Sequence, residues 1–141
     1  MINKDKIFGL FVDGKEINDQ QTKDELKKFM DGPFAKIGMF VKLIQNHEIF
    51  HQKLEKFLKK EQPNYNVKST KEVSEFTVYN RAWSYIKNIS LDNHDDVNAI
   101  INFNPDVFKD ALDGCIKYFE SNEEYEKCAH LFNIQEVVRR I

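Results

Sequence analysis

The stretch FKDALDGCIKYFESNEEYEKCAHLFNIQEVV, residues 108–138, decides the fold. Before Ser121-Asn122 its apolar positions are Phe108, Leu112, Cys115, Ile116 and Phe119, spaced by threes and fours. That spacing puts them on one side of a helix, because an α-helix completes a turn every 3.6 residues or so. After the break, Tyr125, Cys128, Leu131, Phe132 and Val138 keep the same rhythm. Helix, short break and helix make an antiparallel hairpin. Cys115 and Cys128 are equidistant from the break, so the predicted register sets Leu112 opposite Leu131 and Cys115 opposite Cys128. Such an element offers a contact surface rather than a reaction centre.

Working back along the chain, Asn104-Pro105 closes the preceding segment, since the residue before proline is pushed out of helical geometry. Val97, Ile100 and Ile101 predict a short helix there, entered from the acidic turn Leu91–Asp96, whose side chains suit a helix cap. Asp92, Asn93, Asp95 and Asp96 do not form a calcium loop. The required glycine is missing, and Phe103 stands where a bidentate Glu belongs.

Further upstream, Ser69 with Glu72 has capping-box spacing, and Val73, Phe76, Tyr79, Trp83 and Ile86 carry a ring-rich helix towards Ile89. Glu61–Lys68, with Pro63, reads as a loop. Pro33 suits the first turn of the longest helix, which runs to about Lys60. Its broad apolar side holds Ile37, Phe40, Val41, Ile44, Leu54, Phe57 and Leu58, while Lys36, Lys42, Lys53, Lys56 and Lys59 mostly lie off it. Thr22 with Glu25 predicts a further capping box, Leu26, Phe29 and Met30 the buried stripe behind it, and Gly32-Pro33 its stop. At the start, Ile7–Val12 is an apolar run closed by Asp13-Gly14, the signal of a tight β-hairpin through Ile17.

The expected fold is therefore mainly α. It has five or six helices, a short N-terminal β-hairpin and a C-terminal αα-hairpin, in one domain spanning 1–141: hairpin 1–18, helical core 19–104, helical hairpin 105–141. The predicted core includes Phe40, Ile44, Phe57, Phe76, Trp83, Ile86, Leu112 and Leu131.

Composition narrows the function classes. The 141 residues carry a formal charge of −2 with both signs interleaved, so there is no broad positive field to draw nucleic acid or an anionic membrane. No stretch approaches the roughly 20 apolar residues of a membrane span, and Met1–Asp5 lacks the order of a secretory signal, so a cytoplasmic setting is expected. There, two cysteines thirteen residues apart read as buried thiols, with a disulfide as the geometric alternative; they lack the paired short spacings of a zinc site. The five glycines are isolated, which leaves no phosphate loop, and no Gly-x-Ser-x-Gly elbow offers a nucleophile. Lys56, Lys59 and Lys60, like Arg139 and Arg140, sit at predicted helix ends, where cations complement the backbone dipole.

One string has the look of catalysis. His47-Glu48-Ile49-Phe50-His51 places two histidines one helical turn apart with a Glu between them, the pattern in which zinc metallopeptidases hold the metal and activate its water. A third ligand is required; Glu72 and Glu75 are at a suitable sequence distance, but Glu72 is claimed by the predicted cap. The alternative is that both histidines extend the stripe from Phe40 and Ile44 to Leu54 at the wet margin of the core. On that reading there is no catalytic, cofactor-binding or metal-ligating residue. His94 and His130 have no ligand-spaced neighbours.

Glu124-Tyr125, Glu126-Lys127, the small pair Cys128-Ala129 and Leu131, entered from a helix holding Ala111 and Ile116, resemble the UVR motif of nucleotide-excision-repair proteins, over residues 108–138. In that family the motif is a helical hairpin that pairs with a second copy on a partner. The resemblance implies protein–protein contact. It does not imply repair, because Phe132-Asn133-Ile134 replaces the family's acidic and basic continuation and nothing upstream resembles a helicase or nuclease. The expected function is a non-enzymatic adaptor or regulatory protein that binds another protein, or a second copy of itself, through the C-terminal hairpin, without cofactors. The alternative is a zinc-dependent hydrolase through His47, Glu48 and His51.

Overall fold

A computed structural model describes residues 20–61 and 67–141. Among these residues the six helices, in chain order, are α1 (Gln20–Asp31), α2 (Pro33–Glu61), α3 (Val67–Ile86), α4 (His94–Asn102), α5 (Pro105–Ser121) and α6 (Tyr125–Arg139). Among the described residues there is no strand. The expected β-hairpin of residues 1–18 lies outside them.

Local chemistry explains most boundaries. Proline opens both α2 and α5, at the position where its missing N–H costs nothing. The Asn93 side chain caps α4 by accepting from Asp95 N at 2.9 Å and Asp96 N at 3.2 Å. The Asp96 carboxylate in turn accepts from Ser90 N at 2.9 Å, so the acidic turn is a cap, as its residues suggest. Asn104 does the same for α5, accepting from Asp106 N at 3.1 Å and Val107 N at 3.3 Å.

Both expected capping boxes are displaced. Thr22 falls inside α1, which begins at Gln20, and Ser69 falls inside α3, which begins at Val67. Each helix is already under way where the box would start it, so neither threonine nor serine stands at the boundary. Helix α3 also stops at Ile86 rather than Ile89, though Ile89 is buried in the turn that follows.

α2 is the support on which the rest packs: α3 runs against it most extensively, and α1, α4 and α5 also touch it. α5 and α6 form the second tight pair. Buried residues of α2 to α6 make one cluster containing Ile37, Phe40, Ile44, Ile86, Ile100, Phe108, Leu112, Phe119, Leu131 and Ile134. Rings knit it edge to face, Phe40 to Phe108 at 6.2 Å and Phe103 to Phe108 at 5.6 Å, while Trp83, half-buried, meets Phe119 at 6.0 Å.

Two predicted core residues are in solvent. Phe57 is 60% and Phe76 65% exposed, Val73 is exposed as well, and Met30 stands outside the stripe that Leu26 and Phe29 half-bury. The reason is reach. Beyond Glu48 on α2 the only buried residue is His51, and among the described side chains of α3 none is buried before Tyr79. Among the described residues, the distal halves of α2 and α3 have each other for cover and little else.

Candidate contact surfaces and the histidine pair

α5 and α6 pack against each other as an antiparallel pair. Cys128 Sγ donates to the Ile116 carbonyl at 3.6 Å, and the Gln135 amide, buried in α6, donates to the Asp113 carboxylate of α5. Lys127 Nζ lies 4.7 Å from the centroid of the Phe119 ring. These contacts run antiparallel in the order that puts Leu112 and Leu131, both fully buried, on the shared inner face. Both cysteines are free thiols. Burial pushes the Cys115 thiol well up, with the neighbouring Cys128 adding to it, and burial and then Glu120 push Cys128 up as well. Neither is poised as a nucleophile, which needs the thiolate.

The inner face is thus spent on the chain's own core. What α6 leaves in water is a second stripe, Tyr125, Ala129 and Phe132, spaced four and three apart so that they stand above one another. Tyr125 is 63% and Phe132 47% exposed.

His47 and His51 point between α2 and α3. Their rings stack with centroids 5.8 Å apart and planes 24° from parallel, and His47 meets the edge of Tyr79 at 5.9 Å. Burial lowers the His47 pKa below its ordinary value; the His51 charge and, more weakly, Lys71 push the same way, while Glu75 opposes them. Both ring nitrogens of His51 are buried without a hydrogen-bond partner. Glu48 does not join the pair on this side. It turns to α5, where its Oε1 lies 3.6 Å from the place a Cβ on Gly114 would occupy, beside the Tyr79 hydroxyl. Among the described residues no three His, Cys, Asp or Glu side chains come together in a way that could hold a metal ion. Of the two residues considered as a third ligand, Glu72 is an exposed residue of α3, and Glu75, whose charge reaches His47, is paired with Lys71 at 3.8 Å. The pair therefore has its helical spacing but not the convergent ligand set that zinc hydrolysis needs.

Sequence reading also missed some contacts. His130 Nε2 is 3.0 Å from the Ile86 carbonyl and its ring stands edge-on to Trp83 at 5.3 Å, tying α6 to the end of α3. Lys127 is half-buried, paired with Glu124 at 3.0 Å and 5.7 Å above Trp83. No periodicity announces such cross-helix contacts, because both residues lie just off the apolar stripe.

A cleft of about 530 Å³ opens between α2 and α3, lined by Leu43, Asn46, His47, Phe50, Val73, Ser74, Thr77 and Val78. It too was invisible to a reading that expected this region to be covered. No helix of the described chain is long and apolar enough to cross a membrane. Compared with family models, curated proteins and solved structures, the chain matches none.

Proposed function

We propose that this chain is a non-enzymatic, cytoplasmic interaction protein, adaptor or regulatory in role, which meets another protein or a second copy of itself through its C-terminal helical hairpin. The supporting observation is the outer stripe of α6. Tyr125 and Phe132 are large apolar side chains that the fold does not bury, held in register on a hairpin whose inner face is fixed by the core. A rigid helix presenting aligned aromatic groups pays little ordering cost on binding, and aromatic residues dominate the energetics of contact surfaces. The likeness of residues 108–138 to the UVR hairpin, an element that pairs with a partner, supports the same reading.

Because both side chains stand in solvent, Tyr125→Ala combined with Phe132→Glu is expected to leave helix content and melting temperature unchanged while weakening capture of the partner at least tenfold or so. Sedimentation of the same two proteins separates a second copy from a different partner. Unfolding of the double variant would place these rings in the core, and undiminished capture would remove the hairpin from the contact.

A further inference from the structure

The cleft between α2 and α3 is a second surface, independent of the α6 stripe, and we infer that it is a docking groove for an acidic amphipathic helix of another protein. Its floor is the half-buried pair Leu43 and Val78, and its walls are Phe50, 61% exposed, and Val73, 68% exposed. Phe57, seven residues beyond Phe50 and equally open, continues the wall along α2, as Leu43 does seven residues before it. Seven residues are close to two helical turns, so the three form one line along the helix.

The groove faces away from the rest of the bundle. Glu48, which touches α5, and Phe50 are separated by about 200° around the helix. A concave trough between two parallel walls fits a cylinder, and a helix fills one through side chains at i, i+3, i+4 and i+7.

Charge names the occupant. Lys42 lies one turn before Asn46 of the cleft lining, Lys53 two turns after it and Lys60 two turns after that, so helical spacing sets all three on the Asn46 side of α2, Lys53 and Lys60 beyond Phe50, where the lining ends. Arg81 follows Thr77 by one turn on the opposite wall. All four are exposed. The ion pairs of α2 and α3 are Lys59 with Glu55 and Lys71 with Glu75, and the rim cations take part in neither. The acidic groups near it are fewer: Glu48 is directed at α5, Glu75 lines a separate cleft with Tyr79 and Gly114 although its charge reaches His47, and the exposed Glu61 follows Phe57 by one turn at the far end of the wall. An apolar trough whose edges carry more cations than anions, none of the four cations ion-paired among the described residues, is complementary to a helix whose apolar stripe is flanked by Asp and Glu.

The test uses the full chain and two synthetic helical peptides with the same Leu stripe, one flanked by Glu and one by Lys. The Glu peptide is expected to bind saturably at one per chain, and the Lys peptide at least about tenfold more weakly. Phe50→Ala should weaken the Glu peptide at least about tenfold. Lys53→Glu with Lys60→Glu, both exposed, should weaken it and flatten its salt dependence, and these two substitutions keep the test readable should Phe50→Ala disturb the fold. No saturable binding, equal affinity for the two peptides, or indifference to both sets of substitutions overturns the inference. Self-association that Phe50→Ala abolishes would give the groove to a second copy, and phosphatidylserine vesicle binding in place of peptide binding would give it to a membrane; either result also overturns it.

Discussion

His47 has a spacing that suggests catalysis and an environment that is set by burial. Its lowered pKa comes first from burial, then from the His51 charge, against the pull of Glu75. The unfolded chain, with the ordinary value of 6.5, therefore binds a proton that the folded chain resists. Folding stability should be intact above that value and decline as the pH falls from 6.5 towards the lower folded pKa. Urea midpoints measured across this range are expected to fall for the natural protein and to fall less steeply for His47→Gln. Parallel curves would mean that His47 does not titrate with folding. The motif reading was legible in the sequence as a spacing, yet spacing carries no information on where Glu48 points or whether a third ligand arrives. Those depend on α5 and α3, elements far away in the chain.

At the level of elements, the turn between α5 and α6 carries a cost that the sequence does not advertise. Glu123 has φ 60°, the left-handed region, and the bonds Glu124 N to Phe119 O at 2.9 Å and Glu123 N to Glu120 O at 3.0 Å close α5 in the manner usually built on glycine. A side chain with a Cβ pays for that conformation, whereas glycine does not, although glycine loses more freedom on folding. Glu123→Gly is accordingly expected to stabilise the protein by about 0.5–1 kcal/mol, read as a higher urea midpoint at unchanged slope. A lower midpoint would mean that the Glu123 side chain contributes more than its backbone strain costs. The break itself was readable from Ser121-Asn122, and so was the boundary at Asn104-Pro105, though not the cap that Asn104 gives α5, because in each the residue types act locally. Thr22 and Ser69 misled for the same reason. A capping side chain is only half of a boundary, and where the chain is already helical before it the motif has no free end to satisfy.

For the whole molecule the question is which apolar faces another element reaches. Helical spacing grouped Phe76 with Tyr79 and Trp83 on α3 and set Phe40, Ile44 and Phe57 on one broad side of α2, but Phe57 stands about 140° around the helix from Ile44, and grouping does not supply a neighbour. Phe40, Ile44 and Ile86 lie where α2 and α3 are covered, while Phe57 and Phe76 lie where the two helices extend past that cover. The same logic divides α6, whose inner residues Leu131, Ile134 and Val138 complete the core and whose Tyr125 and Phe132 do not. Truncation measures the division directly. Leu131→Ala removes fully buried methyls and should cost about 2–5 kcal/mol, the range for a leucine lost from a packed interior. Phe57→Ala and Phe76→Ala remove larger side chains from solvent-facing positions and should each stay within about 0.5 kcal/mol. Urea unfolding of the three variants decides the matter, because side-chain size alone ranks them in the opposite order. Were Phe57→Ala the most damaging, the distal halves of α2 and α3 would have to be covered in solution, and the groove between them would not be open to a partner.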